Sequence, residues 1–116
     1  MKGLIFFLAI VCYCCISKAQ DLSGYGYVDS RALSIPKADT YSANSIASFV
    51  QSNFKTDREK LRGIYTWVIN NIRYDTDSMY PINWSMEHAE KISATLRRKR
   101  GVCDNYASVF TEIAVK

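Results

Sequence analysis

Histidine occurs once in this 116-residue chain and proline only twice. Nothing repeats and no stretch is of low complexity, which excludes solenoids and tail-like segments. The apolar run from Leu4 to Ile16 covers 13 residues, too few to cross a bilayer comfortably as a helix. An excess of one charge is also lacking. The formal charge is +4, and Lys2 and Lys18 contribute two of those charges from a segment read below as removed. The remainder, about +2, does not point to nucleic acid or to an anionic membrane surface. Cysteine is scarce where it matters. Of four cysteines, Cys12, Cys14 and Cys15 lie in the apolar run, and only Cys103 lies beyond it. A single thiol forms no intramolecular disulfide and builds no zinc site of the paired-cysteine kind.

What is present is a globular composition, 48% hydrophobic and 22% charged, on a length suited to one small domain. The N-terminus has a layout of its own. Met1-Lys2 provides a short positive start, the apolar run follows, and Ser17-Lys18-Ala19 places small residues where a signal peptidase reads. This is the pattern of a secretory signal peptide, residues 1–19, cleaved after Ala19. A lipid anchor fits less well, because no small residue precedes any of the three early cysteines in the way a lipidation site requires. The expected location is therefore secreted or periplasmic, with no stable membrane insertion after cleavage. In that setting a lone thiol needs a reason.

Residues 20–40 mix Gly24, Gly26, Ser23, Ser30 and Pro36 with little periodicity and read as a linker or lead-in. Four helices are predicted after it. The first runs from Tyr41 to Phe54, with Ser42 or Asn44 as cap and Ile46, Phe49, Val50 and Phe54 at helical spacing. The second opens on Thr56-Asp57-Arg58-Glu59, which fits a capping box. Its apolar face is Leu61, Ile64, Tyr65, Val68 and Ile72, and it is expected to end near Tyr74. Tyr80 to Trp84 reads as loop. Ser85 is the expected cap of a third helix reaching Leu96, with Met86, Ala89, Ile92 and Leu96 on one face. Gly101 breaks the pattern. A fourth helix starts at Cys103, with Ala107, Phe110 and Ala114 on the same face and Val109 and Ile113 beside them. It meets no cap, glycine or proline before Lys116, so the chain is expected to be cut within a larger domain.

Cys103 carries the candidate chemistry. A thiol is nucleophilic as thiolate, and helix N-termini and nearby cations favour that form. Arg97, Arg98, Lys99 and Arg100 precede Cys103 closely, and the free amides of a helix start can donate to a developing oxyanion. On the residues alone, a small buried core residue is an equally open reading of Cys103, and the commoner one. His88, fifteen residues upstream among Glu87 and Glu90, reads as a solvated side chain and not as a base. Trp67 and Tyr74 read as core or interface residues, and Trp84 as a loop tryptophan. The basic run Arg97 to Arg100 reads as a solvated helix end. Asp75 and Asp77 lack the glycine and the twelfth-position glutamate of a calcium loop.

Two stretches resemble a known family. Gly101-Val102-Cys103-Asp104-Asn105-Tyr106-Ala107, followed by Val109-Phe110, is similar to the active-site segment of the transglutaminase-like superfamily. The helix Ile64-Tyr65-Thr66-Trp67-Val68-Ile69-Asn70-Asn71-Ile72-Arg73-Tyr74-Asp75 is similar to the family's preceding helix, with its tryptophan, asparagine-isoleucine pair and tyrosine-aspartate end. The two follow in order, about thirty residues apart, and the likeness covers Asp57 to Lys116. It implies a papain-like α+β fold in the intact domain. The part here, 41–116, would be mainly α-helical, and the antiparallel sheet would lie downstream.

The resemblance also implies a mechanism. Cys103 matches the family's catalytic nucleophile, which attacks an amide carbonyl and forms a thioester. The family's histidine and aspartate lie on later strands and match no residue here, so this chain alone is expected not to turn over substrate. The substrate class is protein or peptide. No cofactor and no metal is called for. Two other functions stay open: a non-catalytic binding or scaffold module of the same fold, and a small helical interaction protein whose likeness is accidental.

Overall fold

The computed structural model describes residues 22–77 and 85–116. Helices dominate. A short 3-10 turn at Leu22–Tyr25 leads into α1, Gly26–Leu33, and a second 3-10 turn at Lys37–Tyr41 leads into α2, Ala43–Asn53. Helix α3, Asp57–Asn71, is followed at once by the two-residue strand β1, Arg73–Tyr74. Helix α4, His88–Arg98, is followed by β2, Arg100–Gly101, and then α5, Cys103–Ala114. The signal-peptide segment and Trp84 lie outside the described residues.

The predicted capping box of α3 is present. Thr56 Oγ1 accepts from the Glu59 amide, and the Glu59 carboxylate accepts from the Thr56 amide, so two of the helix's free donors are satisfied reciprocally. Two backbone acceptances at Thr56 and Lys55 also hold the Glu59 carboxyl below the usual carboxylate range. The apolar face of α3 differs from the expected one. Ile64, Val68 and Ile72 are buried as expected, but Leu61 and Tyr65 are about half exposed. Gly63, Thr66 and Trp67 take the buried positions instead. The reason is tertiary: α3 is gripped from two sides, by α1 and by α5, so its buried surface is turned away from the stripe that periodicity alone selects.

The segment read as a linker contains α1, so the described residues hold five α-helices where four were expected. Glycine and serine punctuation hides this helix. Only Val28 and Ala32 of its eight residues are buried. It is held by partners far along the chain: the Asp29 carboxylate accepts from Arg62 Nε and Nη2, each at 2.8 Å, and from Thr66 Oγ1 at 2.7 Å. The Arg62 guanidinium holds the Asp29 carboxyl below its ordinary range, with Thr66 adding to the effect. Helices of eight residues are marginal in water, and packing of this kind is what sustains them.

Other boundaries shift for local reasons. Helix α2 begins at Ala43, and its N-cap Ser42 makes no side-chain capping bond. Helix α3 stops at Asn71, three residues before the expected end, because Arg73 and Tyr74 are extended and pair with another strand. Helix α4 is capped by Glu87, whose carboxylate accepts from the Ala89 amide, and not by Ser85. Its buried residues are Ile92, Thr95 and Leu96, whereas Ala89 is exposed. Lys99 ends it in the left-handed region, φ 53°. One core runs through these elements, built around Trp67, Ile46, Ile72, Leu96, Val50, Val109 and Ile113. No helix among the described residues is long and apolar enough to cross a membrane.

Candidate active site

Strands β1 and β2 are only two residues each, yet they join the two stretches singled out in the sequence. They pair in parallel, Arg73 opposite Arg100 and Tyr74 opposite Gly101. The Arg73 amide donates to the Lys99 carbonyl at 2.9 Å, and the Asp75 amide to the Gly101 carbonyl at 3.0 Å. Side chains reinforce the junction. The Asp75 carboxylate is buried and faces Arg100 Nη2 at 3.1 Å and Arg98 Nη2 at 3.7 Å. The Tyr106 hydroxyl donates to the Ile72 carbonyl, one of the carbonyls that the end of α3 leaves without an intrahelical partner. The Tyr106 and Tyr74 rings lie 6.1 Å apart and tilted. The end of α3 and the start of α5, about thirty residues apart in sequence, are thus one structural unit.

Cys103 is the first residue of α5 and is exposed. Exposure removes the reading of Cys103 as a buried core thiol. The face it shares with Ala107 and Ala114 is the open face of the helix, while Ser108, Val109 and Ile113 form the packed one. Val102, the N-cap, is buried and offers no side-chain acceptor. Its own amide donates to Asn105 Oδ1 at 2.9 Å, and its carbonyl receives the first intrahelical bond, from Tyr106. The N-cap residue therefore supplies no side-chain acceptor to the free amides of the first turn.

The basic run before Cys103 is spent elsewhere, which corrects the expectation that its cations face the thiol. Arg98 and Arg100 turn to Asp75, and Arg100 also approaches Asp77. Lys99 points inward. Its ammonium donates to the Thr40 carbonyl and lies 4.9 Å from the Tyr41 ring centre and 5.0 Å from that of Trp67. Burial pushes Lys99 down to about 8. The cation pairing beside Cys103 is Lys91, whose Nζ lies 2.6 Å from Asp104 Oδ2.

His88 opens α4 and is exposed. It borders a shallow groove of about 240 Å³ with Ser42, Asn44, Glu112 and Lys116. Glu112 sits nine residues along α5 from Cys103, about 13 Å at the rise of an α-helix. The histidine and the thiol are thus at opposite ends of α5.

The model of the transglutaminase-like superfamily matches residues 44–114. The chain belongs to this superfamily. No curated protein and no solved structure matches it. The match to the transglutaminase-like family takes in α2 to α5, including both halves of the junction, and α1 lies outside it. A mainly helical part of a transglutaminase-like domain is what the described residues form. Asn105, Tyr106 and Asp75 lie within the two family stretches, but their contacts were not legible from the sequence. Their positions in those two stretches were the one available signal. Thr95 carried none, and Lys99 stood out only as one cation of the basic run.

Proposed function

We propose that the domain to which this chain contributes is a cysteine-dependent acyltransferase or amide hydrolase, with Cys103 as its nucleophile. The observation that carries the reading is the exposed thiol on the first turn of α5, inside the family match. Thiols at helix N-termini are held more readily as thiolate. In the proposed reaction the sulfur attacks an amide carbonyl of a protein or peptide. The carbonyl oxygen becomes an oxyanion, which the open amides of the first turn can meet. The carbon–nitrogen bond then breaks, the leaving amine takes a proton, and a thioester remains. An amine or water resolves that thioester and returns the thiol.

The base that moves those protons must come from outside the described residues, since His88 stands at the far end of α5. The apolar run and Ser17-Lys18-Ala19 support export, with Gln20 as the new N-terminus. Intact mass of the exported protein tests that point, and retention of residues 1–19 would refute it. The chemistry is tested by Cys103→Ala in the protein as the cell produces it. Amide turnover should disappear, and so should iodoacetamide labelling of the peptide that carries residue 103. Turnover that survives the substitution would overturn the proposal.

A further inference from the structure

The loop entering α5 is tied by one side chain in two directions. Asn105 Oδ1 accepts from the Val102 amide at 2.9 Å, and Asn105 Nδ2 donates to Thr95 Oγ1 at 2.9 Å. Thr95 is buried on α4. Its hydroxyl hydrogen is committed to the Lys91 carbonyl at 2.8 Å. A hydroxyl that has given its only hydrogen can meet Asn105 only as an acceptor. The amide group of Asn105 must therefore turn its NH₂ toward Thr95 and its oxygen toward Val102. The chain of bonds has one polarity, from Val102 through Asn105 and Thr95 to Lys91.

Gly101 completes the arrangement by leaving room. A Cβ on Gly101 would lie 2.4 Å from Asn105 Cβ and 2.8 Å from its Cγ. The backbone there has no positive φ, so space and not conformation calls for glycine. The Asn105 side chain thus lies against the turn Gly101-Val102 and locks it to α4, and Cys103 is the next residue.

We propose that Asn105 is the positioning residue of Cys103, and that Thr95 acts on Cys103 through Asn105 by fixing the orientation of its amide. The inference rests on the reading of Cys103 as nucleophile. Physically, an unheld Val102 amide lets the first turn fray, and Cys103, the first residue of that turn, then loses its fixed place on the helix.

The test is made on the chain from Gln20 to Lys116, in which Cys103 is the single cysteine, and needs no turnover. Two quantities are read: hydrogen exchange at the Val102 amide, and the rate of Cys103 alkylation by iodoacetamide at fixed pH. Asn105→Ala should speed exchange at Val102 by about tenfold or more, with Val109 and Ile113 unchanged. It should slow alkylation about two- to fivefold, the range set by a helix-terminus interaction. Thr95→Val should slow alkylation in the same direction, and Thr95→Ser, which keeps the hydroxyl, should restore the native rate. A bulk loss of packing would not distinguish those two Thr95 variants by their hydroxyl. Unchanged alkylation in Asn105→Ala overturns the proposal. If Asn105→Ala loses its helical signal, the Thr95 pair decides, and equal rates in Val and Ser overturn it. Failure of the nucleophile reading looks different: Cys103→Ala would keep amide turnover while the exchange result stood.

Discussion

Gly101→Ala tests how tightly the entry to α5 is built. The added Cβ would stand 2.4 Å from Asn105 Cβ, 2.8 Å from Cγ and 3.0 Å from Oδ1. Replacing glycine at a compatible backbone position would by itself stabilise the chain by about 0.4–1 kcal/mol. Against that, forcing an extra carbon into a packed site costs about 1–3 kcal/mol. If Asn105 swings aside to make room, the buried Val102 amide loses its acceptor, a further cost of about 1–3 kcal/mol. The nearest collision is with a Cβ, which no rotamer change moves, so the destabilising effects win. The expected net loss is about 2 kcal/mol, or about 10 °C in melting temperature for a chain of this size. Thermal unfolding followed by circular dichroism measures it. The double variant Gly101→Ala with Asn105→Gly removes the colliding atoms, so the two losses should add to less than their sum by about 0.5 kcal/mol or more. A melting temperature for Gly101→Ala equal to the native one would refute the reasoning, and so would full additivity.

Gly63→Ala should also destabilise, although it sits within α3. The helix gains about 1 kcal/mol from losing a glycine, but the new Cβ would lie 2.5 Å from the buried Phe54 ring, and that overpacking costs about 1–3 kcal/mol; a higher melting temperature would contradict this. Asp29→Ala should lower the melting temperature at pH 7, because α1 loses its ties to Arg62 and Thr66. The Asp29 carboxyl is depressed in the folded chain, so its contribution is present above its ordinary value near 3.8 and is lost as pH falls through the folded value. The native and variant melting curves should therefore converge in acid, and a gap that persists at low pH would count against the bond set. Lys99 has the opposite window. Its folded value is about 8 against 10.5, so the unfolded chain binds the extra proton between those values and the Lys99 contribution to stability rises with pH across them. Denaturation midpoints of the native chain relative to Lys99→Met should climb from pH 8 to pH 10, and a flat or falling difference would refute the assignment.

Much of the local structure was legible in the residues. The capping box at Thr56 and Glu59 and the start of α5 at Cys103 are short-range features, decided by amides and side chains a few residues apart. Periodicity likewise located α2, α3, α4 and α5, and two motifs at the right interval pointed to the transglutaminase-like family. Tertiary structure decided what those local rules leave free. Helix α1 exists because Asp29 meets Arg62 and Thr66, over thirty residues away. The faces of α3 and α5 are set by which neighbours cover them, so Leu61 and Tyr65 stay half exposed and Cys103 is open to solvent. The fate of the basic run shows the same limit. Four adjacent cations look alike in sequence, yet Arg98 and Arg100 turn to a buried carboxylate while Lys99 folds inward onto two rings and a carbonyl. A side chain's sequence neighbours set its charge and reach. Which partner it finds depends on the segments that the fold brings within a few ångströms, and single-sequence spacing holds no record of those.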